Sequence, residues 1–183
     1  IRQQLHWHAN PLYRFAPRPD LMNDPAWRRG LARVAARGLL FELQVFESQF
    51  ADCAALARAL PEVTLVLMHA GMPEDLSDEG FARWRGGLGM LAAAPNVHVK
   101  LSGLGTFVHR VDPGLIARVC RETLDAFGPQ RCLFGSNFPI EKLWTGYGEL
   151  VDAWRDAVSA LDPAAQRAIF HDNAARLYRL PQG

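Results

Sequence analysis

The feature that most constrains this chain is a rhythm: short, almost wholly apolar runs alternate with longer amphipathic stretches throughout. Val63–Met68 is the clearest of the runs. A strand apolar at every position must be covered on both faces, and parallel strands flanked by helices satisfy that demand. Strand-like runs fall at Ile1–Trp7, Leu39–Phe46, Val63–Met68 and Val97–Leu101, and a fifth begins at Cys132–Phe134. The intervening stretches predict helices. Asn23 or Asp24 can cap one that opens at Pro25, where a missing N–H costs nothing, and Gly38 stands where that helix should stop. Further helices are expected over Phe50–Leu60, near Glu79–Ala93, over Pro113–Phe127, near Tyr147–Leu161 and over Pro163–Leu180.

Parallel strands need crossover connections, and their fixed hand leaves two architectures, an open doubly wound sheet or a barrel. No Gly-rich dinucleotide turn follows the first strand, which weighs against nucleotide-binding versions. A net charge of +1 gives no basic surface for nucleic acid. No stretch approaches the roughly 18 unbroken apolar residues of a membrane span, and no charged-then-apolar leader is present. Cys53, Cys120 and Cys132 each sit within an apolar stretch and read as buried reduced thiols. A cytoplasmic protein with a small-molecule substrate, and neither nucleic acid nor membrane as partner, is the expectation.

In both architectures chemistry gathers where strands deliver their C-terminal ends. Just past the apolar runs come His6 and His8, then Gln44 and Glu47, then His69, then Ser102 and Gly103, then Ser136 and Asn137. His69 stands out, because an apolar strand delivers its imidazole into a turn of small residues. It reads either as a ligand or proton-transfer group, or as a core histidine hydrogen-bonded to a carbonyl. His6 and His8 are two apart, so on a strand they share a face; metal ligation, substrate lining and simple packing all remain open. Lys100 reads as a structural ion-pair partner and Asp172 and Asn173 as an Asx cap or turn; the tryptophans read as core or rim aromatics, with Trp144, near Glu141 and Lys142, the exception to watch as a ligand contact.

Four phrases occur in order with helix-sized gaps: His69-Ala70-Gly71-Met72-Pro73, Lys100-Leu101-Ser102-Gly103-Leu104, Phe134-Gly135-Ser136-Asn137-Phe138-Pro139 and Asn173-Ala174-Ala175-Arg176-Leu177-Tyr178. Together they resemble the amidohydrolase-related (amidohydrolase 2) family, in particular its sugar-lactonase-like branch. The resemblance implies an α/β fold, the C-terminal part (about strands 4–8) of a distorted (β/α)8 TIM barrel. Residues 1–183 would form the C-terminal portion of one barrel domain, with strands 1–3 upstream. His6 and His8 then belong to strand four and are not the family's strand-one His-x-His metal motif.

The resemblance also implies roles. His69 corresponds to the strand-six histidine, a metal ligand or active-site hydrogen-bond donor in relatives. Asn137 stands where many relatives have an aspartate that binds metal and serves as general base. Asparagine cannot take up a proton at neutral pH and is a poorer ligand for a divalent ion. Gln44 stands where metal-using relatives often have histidine. The implied cofactor is one divalent metal, zinc or manganese, and these two departures make a metal-free site an equal expectation.

The implied function is hydrolysis of a lactone or other cyclic ester or amide by activated water. His69 and Asn137 would be catalytic, with Gln44, Ser102, His6, His8 and Trp144 lining the substrate. Two alternatives are kept: a catalytically impaired barrel that binds a metabolite or partner, and a decarboxylase or hydratase on the same scaffold. Five βα units cannot close an eight-stranded barrel. The chain is therefore expected to be a fragment of a longer product, or else a homo-oligomer whose copies cover the open edges.

Overall fold

A computed structural model describes residues 1–180. It contains five strands, β1 (Arg2–Gln4), β2 (Phe41–Gln44), β3 (Leu65–Leu67), β4 (Val97–Leu101) and β5 (Cys132–Phe134). The helices are α1 (Pro25–Ala36), α2 (Phe50–Ala59), α3 (Asp78–Ala92), α4 (Gly105–Val108), α5 (Pro113–Phe127), α6 (Tyr147–Ala157), α7 (Pro163–Arg167) and α8 (Asn173–Tyr178). The alternation is the α/β rhythm predicted by the sequence. β4 has the bounds of its predicted run and β5 begins where its run was read to begin, while β1, β2 and β3 are shorter than their runs, because only part of each of those runs joins a ladder. The described residues divide into two compact units, Ile1–His98 and a second that begins at Val99.

In the first unit β1, β2 and β3 pair in parallel, with Gln4 opposite Gln44 and Leu43 opposite Leu67. The register brings the three C-terminal ends level. Covered strands are apolar: Leu65, Val66 and Leu67 are all buried. β1 is instead exposed at all three positions, as an edge strand can be. Asp24 is the residue that caps α1, its carboxylate accepting from the N–H groups of Ala26 and Trp27 at 2.7 and 3.2 Å. α2 packs against α3, and the two helices bury Phe50, Cys53, Leu56, Phe81, Trp84 and Leu88.

In the second unit β4 and β5 are parallel, with Lys100 opposite Leu133 and Leu101 opposite Phe134. β4 alternates as a half-covered strand does: Val97, Val99 and Leu101 are buried, while His98 and Lys100 are half-buried. The Lys100 ammonium lies 5.0 Å from the centre of the Tyr178 ring. α5 matches its predicted bounds, with Asp112 accepting from Leu115 N–H at its start. The single helix expected over Pro163–Leu180 is broken. A π-turn over Ala168–Asp172 separates α7 from α8 and places Asn173 in the core.

Asn173 differs from the expected Asx cap. Its amide donates to the carbonyls of Pro129 and Cys132, both at 2.7 Å, tying the last helix to the entry of β5. Asp172 meanwhile accepts from Arg167 Nε and pairs with His171 Nδ1. No helix among the described residues is long and apolar enough to cross a membrane.

Candidate active site

His69 emerges from β3 into an unusual stretch of backbone. His69, Ala70, Gly71 and Met72 all have positive φ, at 56°, 51°, 75° and 51°. Left-handed backbone costs a non-glycine residue about 1–2 kcal/mol, so three such residues within four positions persist only where their surroundings hold them. Those surroundings are visible. Trp84 on α3 donates its indole N–H to Ala70 O at 2.7 Å, and Met72 N–H closes back onto His69 O at 2.9 Å. Phe50 packs so close to Gly71 that a Cβ there would lie 2.1 Å from its ring. Glycine is required at that position on both grounds, conformation and space. His69 as a whole is only 9% exposed.

Gln44 ends β2 beside this turn, its amide 3.6 Å from the Met72 sulfur. His6 and His8 follow β1, beyond the end of the strand, and both rings pack on Phe46. Their environments differ. His6 is buried between Phe15 and Phe46, burial pushes its pKa below the ordinary value, and its Nδ1 has no hydrogen-bond partner. His8 is half-exposed, and its two nitrogens have distinct roles. Nδ1 accepts from Asn10 N–H at 3.0 Å, so in the neutral ring the proton sits on Nε2, which points at Glu74 Oε1 at 3.2 Å. His8 and Glu74 border a cleft of about 590 Å3 with Trp7, Glu47, Asp75 and Arg83. Arg83 is held there by Asp75 at 2.6 Å and Glu47 at 3.3 Å.

In the second unit Ser102 follows β4 and is buried, and Asn137 follows β5 with φ of 54°. Asparagine tolerates this left-handed geometry better than most residues. Its side-chain amide reaches Glu141 Oε1 at 3.3 Å, and its carbonyl accepts from Glu141 N–H at 3.2 Å. Glu141 is wholly buried, and burial pushes its carboxyl above the usual range, partly offset by the Asn137 amide and the Gly105 N–H. Trp144 stacks on His109, ring centres 4.3 Å apart and nearly coplanar.

The donor set does not fit a metal ion by itself. Among the described residues no group of three or more His, Cys, Asp or Glu side chains is placed to hold one. Gln44 is turned toward a thioether, and Asn137 offers a neutral amide.

Of the predicted site residues, the first unit gathers His6, His8, Gln44 and His69 at the C-terminal edge of its strands. The second places Ser102 at the end of β4 and Asn137 at the end of β5, with Trp144 further along the loop. Three residues escaped the sequence reading: Glu74 as the partner of His8, Trp84 as the clamp on the His69 turn, and Glu141 as the partner of Asn137. Glu141 alone had a signal, its place four residues after Asn137.

The amidohydrolase family profile matches residues 1–180. The chain belongs to the amidohydrolase family. Within that family it is 38% identical over 174 residues to an L-fucono-1,5-lactonase of Burkholderia multivorans, covering 88% of this chain and 58% of that protein. It is 36% identical over 180 residues to the uncharacterized protein y4mH of Sinorhizobium fredii, covering 98% of this chain and 60% of that one. The chain thus spans about three-fifths of the length of these curated relatives. Crystal structures of an amidohydrolase from Burkholderia multivorans, one with bound HEPES and one with bound zinc, superpose with a TM-score of 0.86 at 34% identity. They cover 98% of this chain and 64% of theirs. The fold is accordingly the α/β fold of a partial amidohydrolase TIM barrel.

Proposed function

We propose that the protein is a hydrolase that opens small polar lactones with water, and that His69 is its principal catalytic residue. The observation that carries this reading is the His69 turn. Three non-glycine residues in left-handed backbone, clamped by Trp84 and Phe50, are a costly way to place one imidazole. The lactonase relative supports the substrate class. In this reading a ring N–H of His69 polarises the lactone carbonyl and the Asn137 side chain orients a water; as the water oxygen bonds to the carbonyl carbon, its proton passes to the ring oxygen that leaves when the C–O bond breaks, giving the hydroxy acid. Gln44, Ser102, His8 and Trp144 contact the substrate, while His6, sealed between Phe15 and Phe46, does not reach it and supports the wall behind them. The chain acts as the C-terminal portion of one barrel domain covering residues 1–183, in the reducing cytoplasm where its three free thiols persist.

His69→Asn is the informative variant, since asparagine accepts the same backbone while the imidazole is lost. Assayed in the full-length protein against a panel of sugar-acid lactones, it should lose about 100-fold or more in kcat with unfolding unchanged. Absence of turnover in the unmutated protein, or full activity in the variant, would sink the proposal.

A second reading has its own observation. Asn137 cannot act as general base, which suits a barrel that binds a metabolite without turning it over. Saturable binding of a lactone with no hydrolysis over hours would favour it.

A further inference from the structure

Glu141 is the one carboxylate among the described residues with no exposed surface, and the reaction proposed above gives it no task. We propose that Glu141 is a positioning residue that holds the Asn137 amide in one orientation, carbonyl oxygen outward, so that the two side chains together replace a single carboxylate. The inference rests on Asn137 lying at the working end of β5, as proposed above.

The chemistry of the pair fixes the direction. A carboxylate only accepts hydrogen bonds, whereas a primary amide has one donating and one accepting end. Glu141 Oε1 lies 3.3 Å from the Asn137 side chain, so the NH2 end must face it and Oδ1 must face away. The backbone locks the same two residues together. Glu141 N–H donates to Asn137 O at 3.2 Å, while Glu141 O accepts from the N–H groups of Trp144 and Thr145 at 3.0 and 3.1 Å.

The carboxylate itself has no room to move. Its Oε2 lies against Gly105, where an added Cβ would sit 2.2 Å from that oxygen and 3.0 Å from the Trp144 ring. Leu104, Val108, Leu150 and Trp154 enclose the adjoining space. Arg110 and Asp112, which line the same space, pair with each other at 2.8 Å. A buried carboxylate kept in such surroundings destabilises a fold unless its hydrogen bonds compensate. Its most direct product is a fixed amide dipole at Asn137.

The arrangement makes a specific statement about Asn137→Asp. That substitution sets two carboxyl groups within hydrogen-bond distance, where they must either repel or take up a proton to share, so it should lower the unfolding midpoint by several degrees at neutral pH. Adding Glu141→Gln supplies a donating amide from the other side and should restore most of the loss. Glu141→Gln alone keeps the shape but lets either end of either amide face the other. In the full-length protein it should lower kcat about 10- to 100-fold, with KM changed far less.

The experiment is therefore a thermal-unfolding cycle over wild type, Asn137→Asp, Glu141→Gln and the double variant, with kcat and KM measured on any lactone the wild type opens. Recovery in the double variant together with a kcat loss in Glu141→Gln is the expected result. A double variant no more stable than Asn137→Asp overturns the pairing. Wild-type kcat in Glu141→Gln overturns the positioning role. A wild type inactive on every lactone sinks the hydrolase reading but leaves the pairing to be decided by the unfolding cycle.

Discussion

His69 and Asn137 share a property that their side chains do not advertise: both occupy left-handed backbone, at φ of 56° and 54°. Each is held there by a neighbour distant in sequence or four residues on, Trp84 and Glu141 respectively. At this scale the most exposed dependency is Gly71. Ala at that position meets both an unfavourable φ and the Phe50 ring, so Gly71→Ala should destabilise by about 2–4 kcal/mol, read from the urea midpoint. Phe50→Leu in the same background should recover part of it, because the clash is with the ring. Equal stability of Gly71→Ala and wild type would refute this account of the turn. The sequence marked Gly71 only as a small residue after His69. Its necessity comes from a side chain 21 positions earlier.

The elements themselves were legible where local chemistry decides them. Asp24-Pro25 opens α1 and Asp112-Pro113 opens α5, because a carboxylate and a following proline satisfy a helix start without outside help. The last helical stretch was not legible. Apolar spacing continues unbroken through Ala168–Asp172, yet a π-turn there shifts the phase and drives Asn173 inward. What drives that shift is a pair of carbonyls, Pro129 O and Cys132 O, that lie more than 40 residues earlier in the chain. Asn173→Ala should strip a donor from each, leaving Pro129 O only the Cys132 N–H, and cost about 1–3 kcal/mol, with faster amide exchange in β5 than in β2. Uniform loss of protection across all strands would argue that Asn173 supports the fold in another way.

On the scale of the whole molecule, pH is the readable variable. His6 is buried against Phe15 and Phe46, and its pKa is held below the ordinary value of about 6.5. The unfolded chain therefore takes up its proton first. Its contribution to stability is complete above about pH 6.5 and is lost as pH falls through the folded value. His6→Phe should flatten the slope of stability between pH 6.5 and 5, measured by urea unfolding at fixed ionic strength. An unchanged slope would place the titration elsewhere. The sequence by itself determined the alternation of strands and helices, the family and the order of the residues at the strand ends, because periodicity, caps and motifs are local and survive without contacts. Tertiary structure alone decided which histidine is sealed in the core and which pairs with Glu74. It also set His69 in a clamped left-handed turn and gave Asn137 a buried carboxylate as its partner. Those outcomes depend on groups that meet only after folding, when burial removes water and every remaining polar atom must find its counterpart within the protein.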